Sequence, residues 1–498
     1  MELKFGKTTI SCLDTVVQEV QNSEQTQEIK LTDGMPDIGH VLSAWGQTIL
    51  RGKEWRADTV SFSGGMMVWV LYAPEDGTPE RCIDAWIPFQ MKWDIPDGIP
   101  EGNIRIQCLP RFVDARSVSP RKMMVRAGMG AMAQVLSMKR ADVYMPDVPP
   151  EGVELLKSVY PVPLPKEAGE KTFLQDEDLT LPDSAPRPEK LVYYRVNPRI
   201  TDKKVLTNKV VFRGNNKVHI LYRSDQGQLH NWDFEVPFSQ FAELDGEYGT
   251  DAQADFWLCP TSLELEADGE GLLRLKCGIT AQYLITDRQP VTLIEDAYSP
   301  GRELNLQTET LELPAVLESR RENLFGEESI PAEANMAADV SFLPDFPRQR
   351  RTQSGVEMEI PGSFQVLYYG EDGVLHAGSA RWEGRQSLSA DENSRITTIP
   401  VPTEPETALG NGSIQVKAEL PVELTATASK GIPMVTGLTL GEAVRPDPGR
   451  PSLILRRAGE KRLWDIAKAS GSTAEAIQKA NGLQNEPAPD QMLLIPVS

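Results

Sequence analysis

The fold of this chain is decided by a stretch that recurs, Val60-Ser61-Phe62-Ser63-Gly64-Gly65-Met66-Met67-Val68-Trp69-Val70-Leu71-Tyr72-Ala73-Pro74-Glu75-Asp76-Gly77. A shift of 150 residues lays it on Val210 to Gly227 without a gap, and 7 of the 18 positions are identical. A further shift of 146 residues lays Val218 to His230 on Phe364 to His376. Because internal repeats set the architecture of a chain, the sequence predicts three copies of one structural unit, the third more divergent.

The repeated unit predicts a β-hairpin. Val68 to Tyr72 is rich in β-branched and aromatic residues, and Gly77 can adopt the positive φ that a tight turn needs. Three later segments place apolar side chains at every second position, as half-buried strands do. They are Asn103 to Cys108, Leu272 to Cys277 and Ser413 to Glu419. The predicted fold class is therefore mainly β, with three tandem all-β domains.

Between the copies the composition changes abruptly. Residues 143–186 are rich in proline, which favours an extended connector with at most a short helix at Val153 to Val159. Residues 320–338 are charged and lack alternation, and residues 445–451 contain three prolines. With these segments as linkers, the predicted domains are three β-domains at 1–142, 187–319 and 339–444, and a small C-terminal domain at 452–498.

The C-terminal segment has a helical pattern flanked by two strands. Apolar residues at helical spacing mark a first helix, and a capping box, an inner face and a C-cap mark a second. The marking residues are Leu463, Ile466 and Ala467, then Ser472 with Glu475, Ile477 with Ala480, and Asn481-Gly482. Strands are predicted at Ser452 to Arg456 and Gln491 to Pro496. The order strand, helix, helix, strand predicts a tiny α+β domain.

Charge and composition exclude several function classes. The chain has 51 Lys and Arg against 72 Asp and Glu, a net charge of −21 that opposes binding to nucleic acid. The longest unbroken apolar run, Met66 to Ala73, is too short to span a bilayer. The N-terminus lacks the features of a Sec signal peptide, so we expect the protein to stay in the cytoplasm that made it. Five scattered cysteines and four histidines show no metal-ligand spacing, which argues against a metal site.

An enzymatic function finds little support in the sequence. Gly128 to Ala133 fits a Gly-x-Gly-x-x-Ala pattern, but a dinucleotide site needs a βαβ unit, and the surroundings are β-repeats. The acidic pairs Glu75/Asp76 and Glu371/Asp372 lie at hairpin tips, where acidic residues serve turns. We therefore expect neither catalytic residues nor a cofactor.

The C-terminal segment resembles a LysM domain throughout its length. The resemblance rests on Gly459-Glu460, on Leu463 to Lys468, on Ala476 to Gly482 and on Gln491 to Pro496. Two departures, the longer spacing between Gly459 and Leu463 and Asp490 in place of glycine, lie at or beside the loops that line the glycan groove of LysM domains.

The β-repeats resemble the SPOCS domains (formerly DUF3794) of sporulation proteins. The segments that carry this resemblance are Leu31 to Ile38, the Val-Leu-Tyr hairpin, Val118 to Lys122 and Lys166 to Lys171. Three such units and one C-terminal LysM domain are similar to the architecture of SipL-like spore-coat morphogenetic proteins. The resemblance implies a non-enzymatic scaffold in the mother-cell cytoplasm, at the forespore surface, whose LysM domain binds the coat ATPase SpoIVA.

The resemblance also implies a contact surface in the two groove loops of the LysM domain. Its residues are Gly459, Glu460, Lys461, Arg462, Leu463 and Trp464 beside the first loop, and Asn481, Gly482, Leu483 and Gln484 in the second. Trp464 is interpreted either as an exposed aromatic at the rim or as a packed side chain that holds the first helix in place. An alternative function, binding to the peptidoglycan of the cell wall or spore cortex, uses the same loops.

Overall fold

The computed structural model describes residues 2–56, 58–146, 151–268, 271–353, 355–388, 394–444, 449 and 451–497. Within these residues the chain is almost entirely antiparallel β-structure, with two short helices close to the C-terminus. The predicted mainly β fold class is confirmed.

Repeats 1 and 2 each fold into a pair of three-stranded sheets. One sheet is a meander of consecutive strands, and the other pairs the first, fifth and sixth strands of the repeat with the sixth in the middle. The strands of repeat 1 are β2 (Gly6–Lys30), β3 (Ile38–Arg56), β4 (Thr59–Pro74), β5 (Arg81–Asp94), β6 (Asn103–Ser119) and β7 (Lys122–Met145), preceded by β1 (Glu2–Lys4). Those of repeat 2 are β8 (Glu154–Thr180), β9 (Pro188–Leu206), β10 (Lys209–Ser224), β11 (Leu229–Glu243), β12 (Gln253–Ala267) and β13 (Leu272–Tyr298).

Repeat 3 keeps the same plan with two of its strands interrupted. Its strands are β14 (Arg302–Pro331), β15 (Ala334–Pro344), β16 (Arg348–Thr352), β17 (Gly355–Gly370), β18 (Leu375–Leu388), β19 (Arg395–Pro400), β20 (Glu406–Gly410) and β21 (Ser413–Ala443). Both β15 and β16 pair with β17, and both β19 and β20 pair with β21. The third copy is thus present, with breaks that account for its weaker sequence signal.

The predicted hairpins are confirmed in all three repeats. The central meander strands β4, β10 and β17 each lead into a turn whose glycine has positive φ, +70° at Gly77, +86° at Gly227 and +75° at Gly373. The repeated apolar positions lie inside the sandwiches, since Val60, Phe62, Val210 and Phe212 are at most 1% exposed.

Two glycines shared by the first two copies mark a close approach between backbones. A Cβ at Gly64 would collide with the carbonyl oxygen of Ile49 on β3, and one at Gly214 with that of Arg199 on β9. Each of these glycines lies beside a shift in the register of its strand pair. A shared steric requirement therefore explains why glycine recurs at this repeat position.

The three repeats join through the ends of their longest strands. We call these paired strand segments the arms: β2 with β7, β8 with β13, and β14 with β21. Apolar side chains from all three arms form one core, comprising Ile10, Cys12, Val143, Val162, Leu164, Val291, Leu293, Leu311, Leu313, Ala315, Ile432 and Met434. A second shared core contains Trp45 and Trp69 of repeat 1, which contact Tyr193 of repeat 2 at ring distances of 4.8 and 5.2 Å. In addition, β1 pairs with β21, so the start of the chain is held by the last repeat.

The segment 143–186, predicted as a connector with at most a short helix, is largely strand β8, and the helix prediction is wrong. β8 is an edge strand, where proline is tolerated because no neighbour needs the missing N–H group. Pro161 lies opposite Pro290, so these two residues exchange no backbone hydrogen bonds. Pro163 and Pro165 follow at every second position of the same strand and therefore occupy positions of the same kind. Val162 and Leu164 between these prolines are fully buried in the arm core.

The segment 320–338 also differs from the predicted connector, because β14 continues through it to Pro331 and β15 begins at Ala334. Its inward positions include Arg320, Glu322 and Glu328, so the sequence lacks the apolar alternation by which strands are recognised. Most of the third linker, at 445–451, lies outside the described residues.

A buried polar network joins repeat 2 to repeat 3. His219 on β10 is 3% exposed, and its Nδ1 and Nε2 lie 2.6 Å from Asp233 on β11 and 2.8 Å from Asp339 on β15. Next to it, Arg195 on β9 forms a bidentate ion pair with Glu404, which follows β19. The network therefore places two basic groups among three carboxylates at this interface.

The charge state of His219 links this interface to pH. Burial and the charge of Arg195 lower the pKa of His219, but Asp339 and Asp233 outweigh them, so the pKa is raised. Burial raises the pKa of Asp233, but the hydrogen bond with His219 and the nearby positive charges of His219, Lys217 and Arg195 together outweigh it, so the pKa is lowered. A raised folded-state pKa stabilises the protein fully below the unfolded histidine pKa, about 6.5, and the stabilisation is lost as pH rises through the folded value.

We predict that the protein loses stability as the pH rises above about 6.5, because His219 then loses its proton. In urea unfolding experiments, His219→Asn should cost about 3–5 kcal/mol at pH 6, since it breaks a buried pair, and should flatten this pH dependence. The control His376→Gln changes an exposed histidine and should keep the wild-type profile. An equal pH dependence in wild type and His219→Asn would contradict the assignment.

Candidate partner-binding site

The C-terminal module, residues 452–497, folds in the predicted order of strand, helix, helix and strand. Its elements are β22 (Leu453–Arg457), α1 (Leu463–Ser470), α2 (Ala474–Asn481) and β23 (Met492–Pro496). The predicted inner residues Leu463, Ile466, Ala467 and Ile477 are at most 2% exposed and pack with Leu493 and Ile495.

Helix α2 differs from the prediction in two details, one at its N-cap and one on its inner face. The N-cap of α2 is Thr473, whose hydroxyl accepts a hydrogen bond from the Ala476 N–H at 3.0 Å, while Ser472 is buried one residue earlier. Ala480, predicted on the inner face, is exposed. The predicted C-cap is confirmed, because Gly482 has φ +63° and its N–H bonds to Gln478.

The loop that precedes α1 is tied to the segment between α2 and β23. The Gly459 N–H donates to the Pro489 carbonyl at 2.8 Å, and the Leu463 N–H donates to the Glu486 carboxylate at 2.8 Å. Glu486 therefore caps the positive end of α1. The side chain of Asn481 donates to Leu494 and accepts from its N–H, at 2.6 and 2.7 Å, and so ties α2 to β23.

Trp464 is a packed side chain, so the interpretation of an exposed rim residue is wrong. It is 8% exposed, and its ring meets Tyr298 of β13 edge-on at 4.8 Å. Its indole N–H donates to Asp296 at 3.0 Å, and Lys468 on the same helix lies 2.7 Å from this carboxylate. Tyr298 in turn donates its hydroxyl to the Ser472 carbonyl at 2.9 Å. This face of the module is docked on the arm of repeat 2.

The predicted site residues thus separate into two groups. Leu463, Trp464 and Asn481 hold the module together or dock it, whereas Glu460, Lys461, Arg462, Gly482 and Gln484 are exposed, with Gly459 and Leu483 half-buried. We call the exposed group the loop surface. Arg462 pairs with Asp465 at 3.2 Å and approaches Glu295 at 3.9 Å.

A second exposed feature is the outer face of the two-stranded sheet. Leu453, Leu455 and Met492 are 49%, 65% and 49% exposed, and the strand register places them on the same side. An apolar patch with an arginine beside it, here Arg457, is typical of protein contacts.

Sequence reasoning missed the residues that dock the module. Asp296 and Tyr298 end a strand of repeat 2, more than 160 positions before Trp464, and local patterns carry no signal of such a distant pairing. Glu486 was also missed, because it lies 23 positions after Leu463 and its contact with the start of α1 is likewise not local in the sequence.

One group among the described residues has the spacing of metal ligands, namely His219, Asp233 and Glu404. Each already has a protein partner, since His219 bonds to two aspartates and Glu404 to Arg195. The ligand atoms of these three residues are therefore accounted for by the ion-pair network between repeats 2 and 3. No helix in the described part of the chain is long and apolar enough to cross a membrane.

Comparison with known families identifies the repeat. Residues 188–265 match the family model described as SipL, SPOCS domain. Over this segment the chain is SipL-like. The match covers the meander sheet of repeat 2 and most of β12, so the SPOCS resemblance is confirmed there and makes this a sporulation-related protein. No curated protein and no solved structure matches the chain. The LysM resemblance of the C-terminal module stays a prediction.

We predict that Asp296→Ala releases the docked face of the module, because the Trp464 indole N–H and the Lys468 ammonium both lose their partner. A buried donor left without an acceptor costs about 1–3 kcal/mol. In hydroxyl-radical footprinting read by mass spectrometry, oxidation of Trp464 and Tyr298 should rise several-fold. The neighbouring variant Glu295→Ala, whose closest contact is the long one to Arg462, should stay at the wild-type level. Unchanged oxidation in Asp296→Ala would show that this contact does not hold the module.

Proposed function

We propose that this protein is a non-enzymatic scaffold of spore-coat assembly that tethers a SpoIVA-like coat ATPase at the forespore surface in the mother cell. The observation that carries the proposal is the SPOCS match in repeat 2. The joined repeats form a large platform, and the C-terminal module is docked on it with the loop surface exposed.

The candidate carboxylates at the hairpin tips support a role without catalysis. Asp76 accepts hydrogen bonds from the N–H and hydroxyl of Thr78, which lower its pKa. Asp372 accepts from the Val374 N–H, which likewise lowers its pKa. A general acid at neutral pH requires the opposite shift. Gly128 and Gly130 lie within strand β7, where no helix follows to bind a pyrophosphate.

A protein partner suits the exposed part of the module better than a glycan. Trp464 is the one aromatic residue of segment 452–498, and its docking on Tyr298 withdraws it from ligands. The loop surface is left with charged and polar groups beside an apolar sheet face, a combination common at protein interfaces. The chain's charge of −21 makes the exposed Lys461 and Arg462 distinctive contacts for an acidic partner surface.

The test uses the full chain, bound to the purified SpoIVA-like ATPase of the same organism or to insoluble peptidoglycan. We expect retention by the ATPase, and in Lys461→Glu/Arg462→Glu a loss on the order of tenfold because charge complementarity is reversed. Lys417→Glu changes an exposed lysine on β21 and is the matched control.

Binding to peptidoglycan without binding to the ATPase would overturn the proposed function in favour of a glycan-binding protein. ATPase binding that is equally strong in the double variant would retain the tether and exclude the loop surface as its contact.

A further inference from the structure

The three repeats enclose a cleft of about 110 Å³, which is lined by strands from both sheets of each repeat. Repeat 1 contributes β3 and β6, repeat 2 contributes β9 and β12, and repeat 3 contributes β14, β15, β19 and β21. We call it the three-repeat cleft. Part of its wall is apolar and includes Trp257 and Ile399, which are 3% and 6% exposed and belong to one buried cluster. The cleft shares Lys203, Arg321 and Glu423 with a neighbouring surface cleft, through which ligands can enter.

The polar wall of the three-repeat cleft has an excess of positive charge. Arg199 and Lys203 on β9 and Arg321 on β14 line it together with Glu423 on β21. Arg195 also reaches the cleft, but its charge is neutralised by Glu404. Within the described part of the chain, Arg199, Lys203 and Arg321 form no ion pair. Three cations therefore face one carboxylate, in a protein whose overall charge is −21.

Arg199 has one buried donor that no acceptor satisfies. One guanidinium nitrogen donates to the Pro402 carbonyl at 2.6 Å, while the buried Nε has no hydrogen-bond partner. A buried donor without an acceptor is unfavourable, and an anion in the cleft would supply one. Burial lowers the pKa of Arg199, and the like charge of Arg321 lowers it further, while Glu235 and Glu419 act in the opposite direction.

We propose that the three-repeat cleft binds a small organic oxyanion. Arg199, Lys203 and Arg321 hold its phosphate or carboxylate group, for which guanidinium geometry is suited, and its apolar part packs against Trp257. The cleft is smaller than the cavities of about 150 Å³ that admit benzene, so a ring occupies it only by extending into the open mouth. Because the cations come from two repeats, the bound anion strengthens the interface between repeats 2 and 3. This inference is independent of the proposed tether.

The test is isothermal titration calorimetry of the full chain with phenyl phosphate, benzoate and benzyl alcohol at constant ionic strength. We expect saturable binding of an anion and none of benzyl alcohol, and the stronger anion identifies the preferred group. Arg199→Gln, Lys203→Gln and Arg321→Gln should each weaken binding about tenfold, since each removes one charge-assisted contact.

Two further variants separate binding from folding. Glu423→Gln removes the single carboxylate among the three cations and should strengthen binding of the anion, an effect that damage to the fold would not produce. Arg385→Gln, an exposed arginine on β18, should bind as wild type does. Absence of anion binding, equal binding of benzyl alcohol, or equal affinities in the cleft variants and Arg385→Gln would overturn the proposal.

Discussion

Packing of the three arms against one another is the interaction on which the rest of the structure depends. Each arm is a two-stranded ribbon, which is marginal in water unless another surface covers its apolar face. Here Val162 and Leu164 of repeat 2 are covered by Ile10 and Cys12 of repeat 1 and by Leu311 and Leu313 of repeat 3. The sandwiches at the outer ends of the arms are thereby fixed relative to one another, and β1 adds a backbone connection from the start of the chain to repeat 3.

This joined body changes how a scaffold of this kind can act. Modules on flexible linkers gain avidity by searching a volume set by linker length. Repeats with a common core instead present their surfaces at fixed spacing, so a partner meets one pre-organised platform and little ordering entropy is lost on binding. Docking through Trp464, Tyr298 and Asp296 extends this order to the C-terminal module, whose loop surface then has a defined direction.

Much of the fold could be predicted because its signals are local and repeated. The hairpins around Gly77, Gly227 and Gly373 combine apolar strands with turn residues, and a constant shift relates them. The arms were not predicted from the sequence. In the edge strand β8, proline alternates with apolar residues, and in β14 charged side chains occupy inward positions. In each case, pairing with a distant strand outweighs local preference.

The candidate site was predictable only in part, for a similar reason. The sequence predicts the order of elements in the module, and the structure has that order. Whether Trp464 faces a ligand or the body depends on Tyr298 and Asp296 of another repeat. The three-repeat cleft gives no local signal at all, since its cations stand on strands β9 and β14, which are far apart in the sequence.

The central claim, that the repeats share one core and are not joined by flexible linkers, is tested most directly by hydrogen exchange at Val162 and Leu164. Both residues lie in a segment that composition alone would assign to a connector, and both are fully buried in the arm core. The account predicts that their amides exchange as slowly as those of Val291 and Leu293 on the paired strand. Exchange at the rate of an unstructured chain would contradict this account and would favour independent domains joined by flexible linkers.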